Sequence, residues 1–189
     1  IGVLDREAET PYRSFLARDP DDKGEAVRAC IEWLTDEAAG RPVVAYNGQG
    51  FDFPAIEAQI QRHCPAYREA WADTWTFDPL FWARTKGNAV LPGRTNELDD
   101  VAGALGYDRA DTGLSGRLVA ELFGEYMADP EGTDMDWQRH QRYCEADVRA
   151  LAHVYDAVAA AVEATAPGSE REATTNRAEE TAQGRLTDF

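Results

Sequence analysis

Residues 42–54 of the chain read PVVAYNGQGFDFP. The first five residues are a continuous apolar run of the kind that becomes a buried strand in an α/β sheet. The glycine-rich residues 47–50 predict a turn that ends the strand, and a helix opens near Phe51. Because α/β sheets bind ligands at strand ends, Asp52 is a candidate site residue. The alternative is that Asp52 only places a favourable negative charge in the first turn of its helix.

The elements on either side of this unit also follow from hydrophobic patterning. Apolar runs at residues 1–4 and 12–16 predict two strands joined by a polar connection. Three-and-four spacing of apolar residues predicts a helix from after Asp22 to near Gly40. Further helical segments are predicted at about 80–84, 96–106, 116–127 and 136–162. Residues 165–182 are mostly Ala, Glu, Thr and Arg and predict a disordered linker. The expected fold class is α/β, a mixed sheet flanked by helices with a disordered C-terminal tail.

The charge of the chain limits its function and its setting. Its 189 residues carry a net charge of −16, which argues against a broadly basic surface for nucleic acid. Only Lys23 and Lys86 are lysine, and carboxylates are spread along the chain, which is typical of salt-adapted proteins; the alternative is an ordinary acidic protein. No apolar run is long enough to span a membrane, so no membrane partner is expected. Three widely spaced cysteines indicate a reducing cytoplasm.

Two residues of the last predicted helix lie on its apolar face. The stripe of Leu151, Val154 and Val158, extended backwards by four and eight residues from Leu151, reaches Asp147 and Tyr143. Burying a lone carboxylate costs several kcal/mol, so Asp147 must be protonated, paired with an arginine, or bound to a shared metal ion.

Taken in order, these motifs are recognisable. Asn47-x-x-x-Phe51-Asp52 and Tyr143-x-x-x-Asp147 resemble the second and third motifs of the DEDD exonucleases. These DnaQ-like 3'-to-5' exonucleases have a ribonuclease H-like fold. Residues 76–80 and 96–107 resemble the middle of their YprB-like and polymerase B-like members. Arg142 stands where the histidine branch has its histidine, so the resemblance is to the tyrosine branch.

The resemblance implies a chemistry for the site. The family holds two divalent ions, usually Mg²⁺ or Mn²⁺, between four carboxylates. Carried over, Asp147 and Asp52 would be metal ligands, Tyr143 would orient the attacking water, and Asn47 and Phe51 would lie at the substrate. The substrate would be a single strand or 3' end of nucleic acid, with DNA favoured. Phosphate contacts could come from Arg84, Lys86 and Arg94, which are close in sequence.

One family motif has no clear counterpart. The family carries Asp-x-Glu on its first strand, and the nearest candidate is Asp5-Arg6-Glu7. Too few residues separate this triplet from the first helix to hold the two further strands expected between them. We therefore interpret residues 1–4 and 12–16 as the family's second and third strands, and expect the first strand, with its two carboxylates, upstream of Ile1.

The last seven residues resemble a second known motif. Gln183, Leu186 and Phe189 match the Gln-x-x-Leu-x-x-Phe pattern of PIP boxes, which dock on sliding clamps of the PCNA type. Leu186 and Phe189 would align on one helical turn and fill an apolar pocket. The predicted organisation is a ribonuclease H-like exonuclease domain at 1–164, truncated at its N-terminus, a linker at 165–182, and a clamp-binding motif at 183–189.

Three functions remain open from the sequence. The first is a metal-dependent 3'-to-5' exonuclease of replication or repair, tethered to a clamp, from a halophilic archaeon. The second is a catalytically inactive ribonuclease H-like adaptor that binds clamp or nucleic acid, which the missing Asp-x-Glu favours. The third is an RNA-processing exonuclease, because nothing in the sequence distinguishes ribose from deoxyribose.

Overall fold

The computed structural model describes residues 1–110 and 113–165. The chain divides into two units, Ile1–Val154 and Tyr155–Phe189. The described part of the second unit is the end of a long helix that starts in the first unit. The predicted linker and clamp-binding motif lie outside the described residues, apart from Thr165, the last residue of that helix. None of the described helices is long and apolar enough to cross a membrane.

The elements follow one another in a mixed α/β order. The four strands are β1 (Gly2–Leu4), β2 (Tyr12–Ser14), β3 (Val43–Val44) and β4 (Thr76–Phe77). The helices are α1 (Lys23–Thr35), α2 (Asp52–His63), α3 (Arg68–Ala72), α4 (Leu98–Ala104), α5 (Gly116–Ala128) and α6 (Trp137–Thr165). Short 3₁₀ turns at Pro20–Asp22 and Pro65–Tyr67 precede α1 and α3, and a π-helical turn at Phe81–Thr85 follows β4.

The N-terminal strands form the expected hairpin. β1 and β2 are antiparallel, with Gly2 opposite Ser14 and Leu4 opposite Tyr12. Successive side chains of a strand point to opposite faces. Val3 accordingly packs against the core beneath the hairpin, whereas a Cβ on Gly2 would lie 3.3 Å from the Cβ of Cys144 on α6. The hairpin is therefore covered by the core on one face and by the first part of α6 on the other.

A second pair of strands carries the unit identified in the sequence. β3 and β4 are parallel, with Val43 opposite Thr76 and Val44 opposite Phe77. Val43 and Ala45 pack on the same core as Val3. That core consists of buried side chains of α1, α2, α3 and the residues that follow them: Val27, Cys30, Ile31, Trp33, Leu34, Ala38, Phe53, Ile60, Cys64 and Trp71.

The observed fold class agrees with the prediction, a small mixed sheet system flanked by helices. Among the described residues the strands form two separate two-stranded sheets, β1 with β2 and β3 with β4. The strands are shorter than the apolar runs suggested. The predicted strand at residues 42–46, for example, is paired only at Val43–Val44. α1 ends at Thr35, before the expected stop at Gly40. The helical stretch predicted at 80–84 is the π-helical turn.

Candidate active site

The turn after β3 is dictated by its sequence. Asn47 has a φ of 58°, a left-handed conformation that asparagine tolerates better than most residues. Its carbonyl accepts hydrogen bonds from the N–H groups of Gly50 and Phe51, both at 3.1 Å. Gly48 is buried, and a Cβ there would lie 2.7 Å from the Cβ of Ala45 and 2.8 Å from the Phe53 ring. The chain can therefore make this turn only with a glycine at position 48.

Asp78, which directly follows β4, holds this turn in place. Its buried carboxylate accepts hydrogen bonds from the backbone N–H groups of Asn47 at 3.1 Å and Gln49 at 3.0 Å. It also accepts from the N–H groups of Leu80 at 3.0 Å and Phe81 at 3.2 Å. One carboxylate thus joins the end of β3 to the chain that leaves β4.

Asp52, the first residue of α2, follows the turn that Asp78 holds in place. Burial raises the pKa of Asp52 above its ordinary value, and the negative charge of Asp78 adds to the rise. No basic side chain of the described residues forms an ion pair with either carboxylate. The preceding Phe51 leaves 70% of its surface exposed. The strand end therefore combines two carboxylates that interact electrostatically, of which Asp78 is buried, with an exposed aromatic ring.

The second group of predicted site residues lies on α6. Tyr143 and Asp147 are one helical turn apart, and Tyr143 is buried. Burial raises the pKa of Tyr143 to about 12, and the Asp147 charge contributes to that rise. Burial also raises the pKa of Asp147, although the nearby Arg109 charge opposes the rise.

Arg109 connects the residues of this second group. Its Nη2 lies 2.6 Å from Oδ1 of Asp147, and its guanidinium stacks over the Tyr143 ring with 4.9 Å to the ring centroid. Its Nη1 donates to Asp99 on α4. The Arg109 side chain is only 16% exposed. Of the alternatives open for Asp147, the structure therefore contains the arginine pair.

A hydrogen bond from Tyr46 links the turn after β3 to the segment that leads into α4. The Tyr46 hydroxyl donates this bond to the carbonyl of Asn96 at 3.0 Å. Burial raises the pKa of Tyr46 to about 12, with Asp78 as the second cause. Asp52 and Asp147 nevertheless have different charged neighbours, Asp78 for the first and Arg109 with Asp99 for the second.

Asp5 and Glu7, the alternative carboxylates near the N-terminus, have another partner. Arg41 lies 2.6 Å from Oδ1 of Asp5 and 3.5 Å from Oε2 of Glu7. The pKa of Asp5 is lowered, chiefly by its hydrogen bond with Arg41. Arg41 precedes β3 whereas Asp52 follows it, so this ion-paired cluster and Asp52 are at opposite ends of that strand.

The structure thus groups the predicted residues by motif. Asn47, Phe51 and Asp52 share one turn, and Tyr143 and Asp147 share one helix face. Sequence reasoning gave no role to Asp78 and did not identify Arg109. An aspartate just after a strand and before a helical turn is a capping signal that could have indicated Asp78. No local pattern indicates Arg109, because its partners come from α4 and α6.

The described residues do not assemble a two-ion centre. No group of three Asp, Glu, His or Cys side chains among them could hold a metal ion. Arg109 also occupies one oxygen of Asp147. The Asp52 and Asp78 pair supplies only two carboxylates, and Asp78 is already hydrogen-bonded to four backbone N–H groups.

Comparison with known proteins identifies the class. A protein-family model described as RNase_H superfamily matches residues 1–159. The chain belongs to the ribonuclease H superfamily. Membership indicates nuclease activity in general and nucleic-acid binding, and nucleases of this superfamily generally use divalent metal ions. Searches of curated proteins and of solved structures gave no match.

Proposed function

We propose that the protein is a metal-dependent 3'-to-5' exonuclease of the DnaQ-like DEDD group, tyrosine branch, acting on single strands or 3' ends with DNA favoured. The observation that carries the proposal is the strand end, where Asp52 and the buried Asp78 interact electrostatically and neither forms an ion pair with a basic side chain of the described residues. Neighbouring carboxylates in a partly buried site are stabilised by a shared cation. Asp52 and Asp147 are the proposed ligands of Mg²⁺ or Mn²⁺.

The aromatic residues have complementary proposed roles. Phe51, next to Asp52 and largely exposed, would contact a base, since aromatic faces bind bases without regard to sequence. Asn47 would fix the turn beside the substrate. Tyr143 keeps its proton over the whole neutral range, because its pKa is about 12, and so would act as a hydrogen-bond donor to the reacting water or phosphate.

We also propose that a further strand, carrying the Asp-x-Glu pair, completes the site between β1 and β3. Each of these strands pairs along one edge only in the described part of the chain. Both place a valine, Val3 and Val43, on the same core. A strand in this position would supply two more carboxylates near Asp52.

The activity is tested with a 5'-labelled single strand and Mn²⁺, in KCl at which circular dichroism reports a folded chain. We expect a ladder that shortens from the 3' end and that weakens by at least about 100-fold in Asp52→Asn and in Asp147→Asn. Asp73→Asn, an exposed aspartate at the end of α3, is the matched control and keeps full activity. A ladder that survives Asp147→Asn contradicts the assignment.

A second candidate is an inactive adaptor that binds nucleic acid or a clamp. The observation favouring it is the ion pair between Arg109 and Asp147, because the guanidinium already neutralises the charge of Asp147 without a metal ion. If neither this chain nor a longer polypeptide that includes Asp-x-Glu digests the strand, the adaptor is favoured. Digestion of a ribose strand in preference to a deoxyribose strand would favour the RNA-processing exonuclease.

The clamp interaction is a separate proposal. Gln183, Leu186 and Phe189 would dock on a PCNA-type sliding clamp, and the residues before them would act as a tether that raises the local concentration of enzyme on DNA. Phe189→Ala should abolish binding of the full chain to such a clamp, measured by calorimetry, while Thr187→Ala leaves binding intact. Unchanged binding by Phe189→Ala would refute the motif.

The proposed setting is the cytoplasm of a halophilic archaeon, in replication or repair. Cys30, Cys64 and Cys144 are all free thiols, which supports a reducing compartment. The charge of −16 supports a high-salt environment.

A further inference from the structure

The longest stretch of the chain without Asp or Glu is residues 79–96. It contains Arg84, Lys86 and Arg94, in a protein with 35 acidic and 19 basic residues. Residues 84–96, here called the basic segment, are exposed except for the half-buried Leu91. The local charge is therefore opposite in sign to that of the molecule.

The cations of the basic segment are available to a ligand. No carboxylate of the described residues forms an ion pair with Arg84 or Lys86, and Lys86 instead lies over the Phe81 ring at 5.4 Å. Arg94 is 94% exposed, and its Nε lies 3.8 Å from Oδ1 of Asp100. An exposed ion pair at this distance is weak. Arginines elsewhere in the unit are more closely paired, including Arg41, Arg109 and Arg149.

Both ends of the basic segment are fixed next to the candidate active site. Asp78 binds the N–H groups of Leu80 and Phe81 just before the segment, and the same carboxylate binds the turn at Asn47. At the far end, the carbonyl of Asn96 accepts from Tyr46, the residue before Asn47. The positive charge of Arg84 also acts on Tyr46, whose pKa it lowers in part. The segment therefore leaves and rejoins the molecule beside the turn that follows β3.

We propose that the basic segment is the surface that holds the phosphate backbone of a single nucleic-acid strand whose end enters the site at Asp52. The inference rests on the proposed function and names the part of the chain that binds the polymer. Backbone phosphates gain affinity from exposed Lys and Arg through release of counterions, independently of base sequence. In a chain with a charge of −16, a local patch of this kind directs the strand to one face.

The test compares two matched double variants in the full chain. Lys86→Glu with Arg94→Glu reverses two charges of the basic segment. Lys23→Glu with Arg28→Glu makes the same chemical change on exposed positions of α1. Binding of a fluorescein-labelled oligo-dT is followed by anisotropy in EDTA, which prevents metal-dependent digestion, over a KCl series in which each variant is folded by circular dichroism.

We expect the segment variant to bind at least about tenfold more weakly at the lowest salt, and its log affinity to depend less steeply on log salt, by about 1.4 for two lost contacts. The α1 variant should stay within about twofold of the unmodified chain, since its charges are remote from the strand. Equal weakening of both variants, no weakening of either, or no binding by the unmodified chain overturns the inference. If the glutamate variants unfold, the glutamine variants at the same positions replace them.

Two further measurements separate this inference from the proposed function. Polyglutamate is added as a competitor of oligo-dT. If the chain binds polyglutamate as tightly as oligo-dT, the basic segment is a surface for acidic peptides, and the assignment to nucleic acid is overturned. Hydrolysis of the p-nitrophenyl ester of thymidine 5'-phosphate with Mn²⁺ reports chemistry without a polymer. We expect the α1 variant to retain it and Asp147→Asn to lose it. If neither the unmodified chain nor a longer polypeptide that includes Asp-x-Glu hydrolyses the ester, the proposed function fails, while the binding comparison still decides the inference.

Discussion

At the residue scale, the carboxylates of this protein differ in how their charge is compensated. Asp147 lies against the Arg109 guanidinium at 2.6 Å, whereas Asp52 has another carboxylate, Asp78, as its charged neighbour. Desolvation of an ionised group costs several kcal/mol unless an opposite charge or a proton offsets it. Asp52 is therefore the position where a bound cation would gain most, and Asp147 is the position where a cation must compete with Arg109.

The Arg109 pair gives a stability prediction. Arg109→Ala should lower the free energy of unfolding by about 2 kcal/mol, because Asp99 and Asp147 lose their counter-charge while partial exposure to water screens the loss. Adding Asp147→Asn to that variant should recover part of the loss. Urea unfolding of the two single variants and the double variant measures the coupling, expected at about 1 kcal/mol. Strictly additive effects would show that the ion pair contributes nothing.

Residue patterns predicted some of this site and missed the rest. The four-residue spacing from Leu151 predicted Tyr143 towards the interior, where it is buried, and also Asp147, whose side chain is 34% exposed. It left open which partner Asp147 has. Arg109 reaches Asp147 only because the segment after α4 lies against α6, where a ring nitrogen of His153 is hydrogen-bonded to the carbonyl of Leu105 at 3.1 Å. Such contacts depend on tertiary structure and leave no mark in the local pattern.

At the element scale, the turn between β3 and α2 is the part most closely specified by sequence. Asn47, Gly48 and Gly50 each meet a demand of backbone or space, and the strand, turn and helix were all predicted. The length of β3 was not predicted, because a strand extends only as far as the partner strand that pairs with it. β4 contains only Thr76–Phe77, since Asp78 turns the chain into a helical segment, so β3 pairs over two residues.

Two glycine substitutions test this account of the turn. Gly48→Ala should lower the free energy of unfolding by about 1–3 kcal/mol, because its Cβ would overlap Ala45 and the Phe53 ring. Gly103→Ala is the control on α4, where a Cβ meets no atom within 4 Å, and should raise stability by about 0.5–1 kcal/mol through helix propensity. Thermal unfolding compares them. A Gly48→Ala variant as stable as the unmodified chain would contradict the packing described for the turn.

At the scale of the whole molecule, the excess of acidic residues is expected to lower the stability of the folded chain at low salt. A net charge of −16 makes the folded chain repel itself, and salt screens that repulsion. The two-stranded sheets add little rigidity of their own, since short sheets depend on the helices packed against them. Composition predicts this charge effect, whereas the division into two sheets is a property of the fold that only the structure reveals.

Salt dependence follows from that charge. The melting temperature at pH 7 should rise by about 5 °C or more between 0.1 M and 2 M KCl as repulsion is screened. Near pH 4.5, the isoelectric point, the same increase in KCl should have little effect because the net charge is close to zero. Circular dichroism melts at the two pH values measure the difference. An equal salt effect at both would show that the charge is not its cause.

The central claim is that Asp52 and Asp147 serve one cation-dependent active site. Titration with Mn²⁺, followed by the loss of the free-ion signal in electron paramagnetic resonance, tests it without requiring catalysis. Binding should weaken at least about tenfold in Asp52→Asn and in Asp147→Asn, and remain unchanged in Asp73→Asn. Equal Mn²⁺ affinity in the unmodified chain and all three variants would contradict the claim.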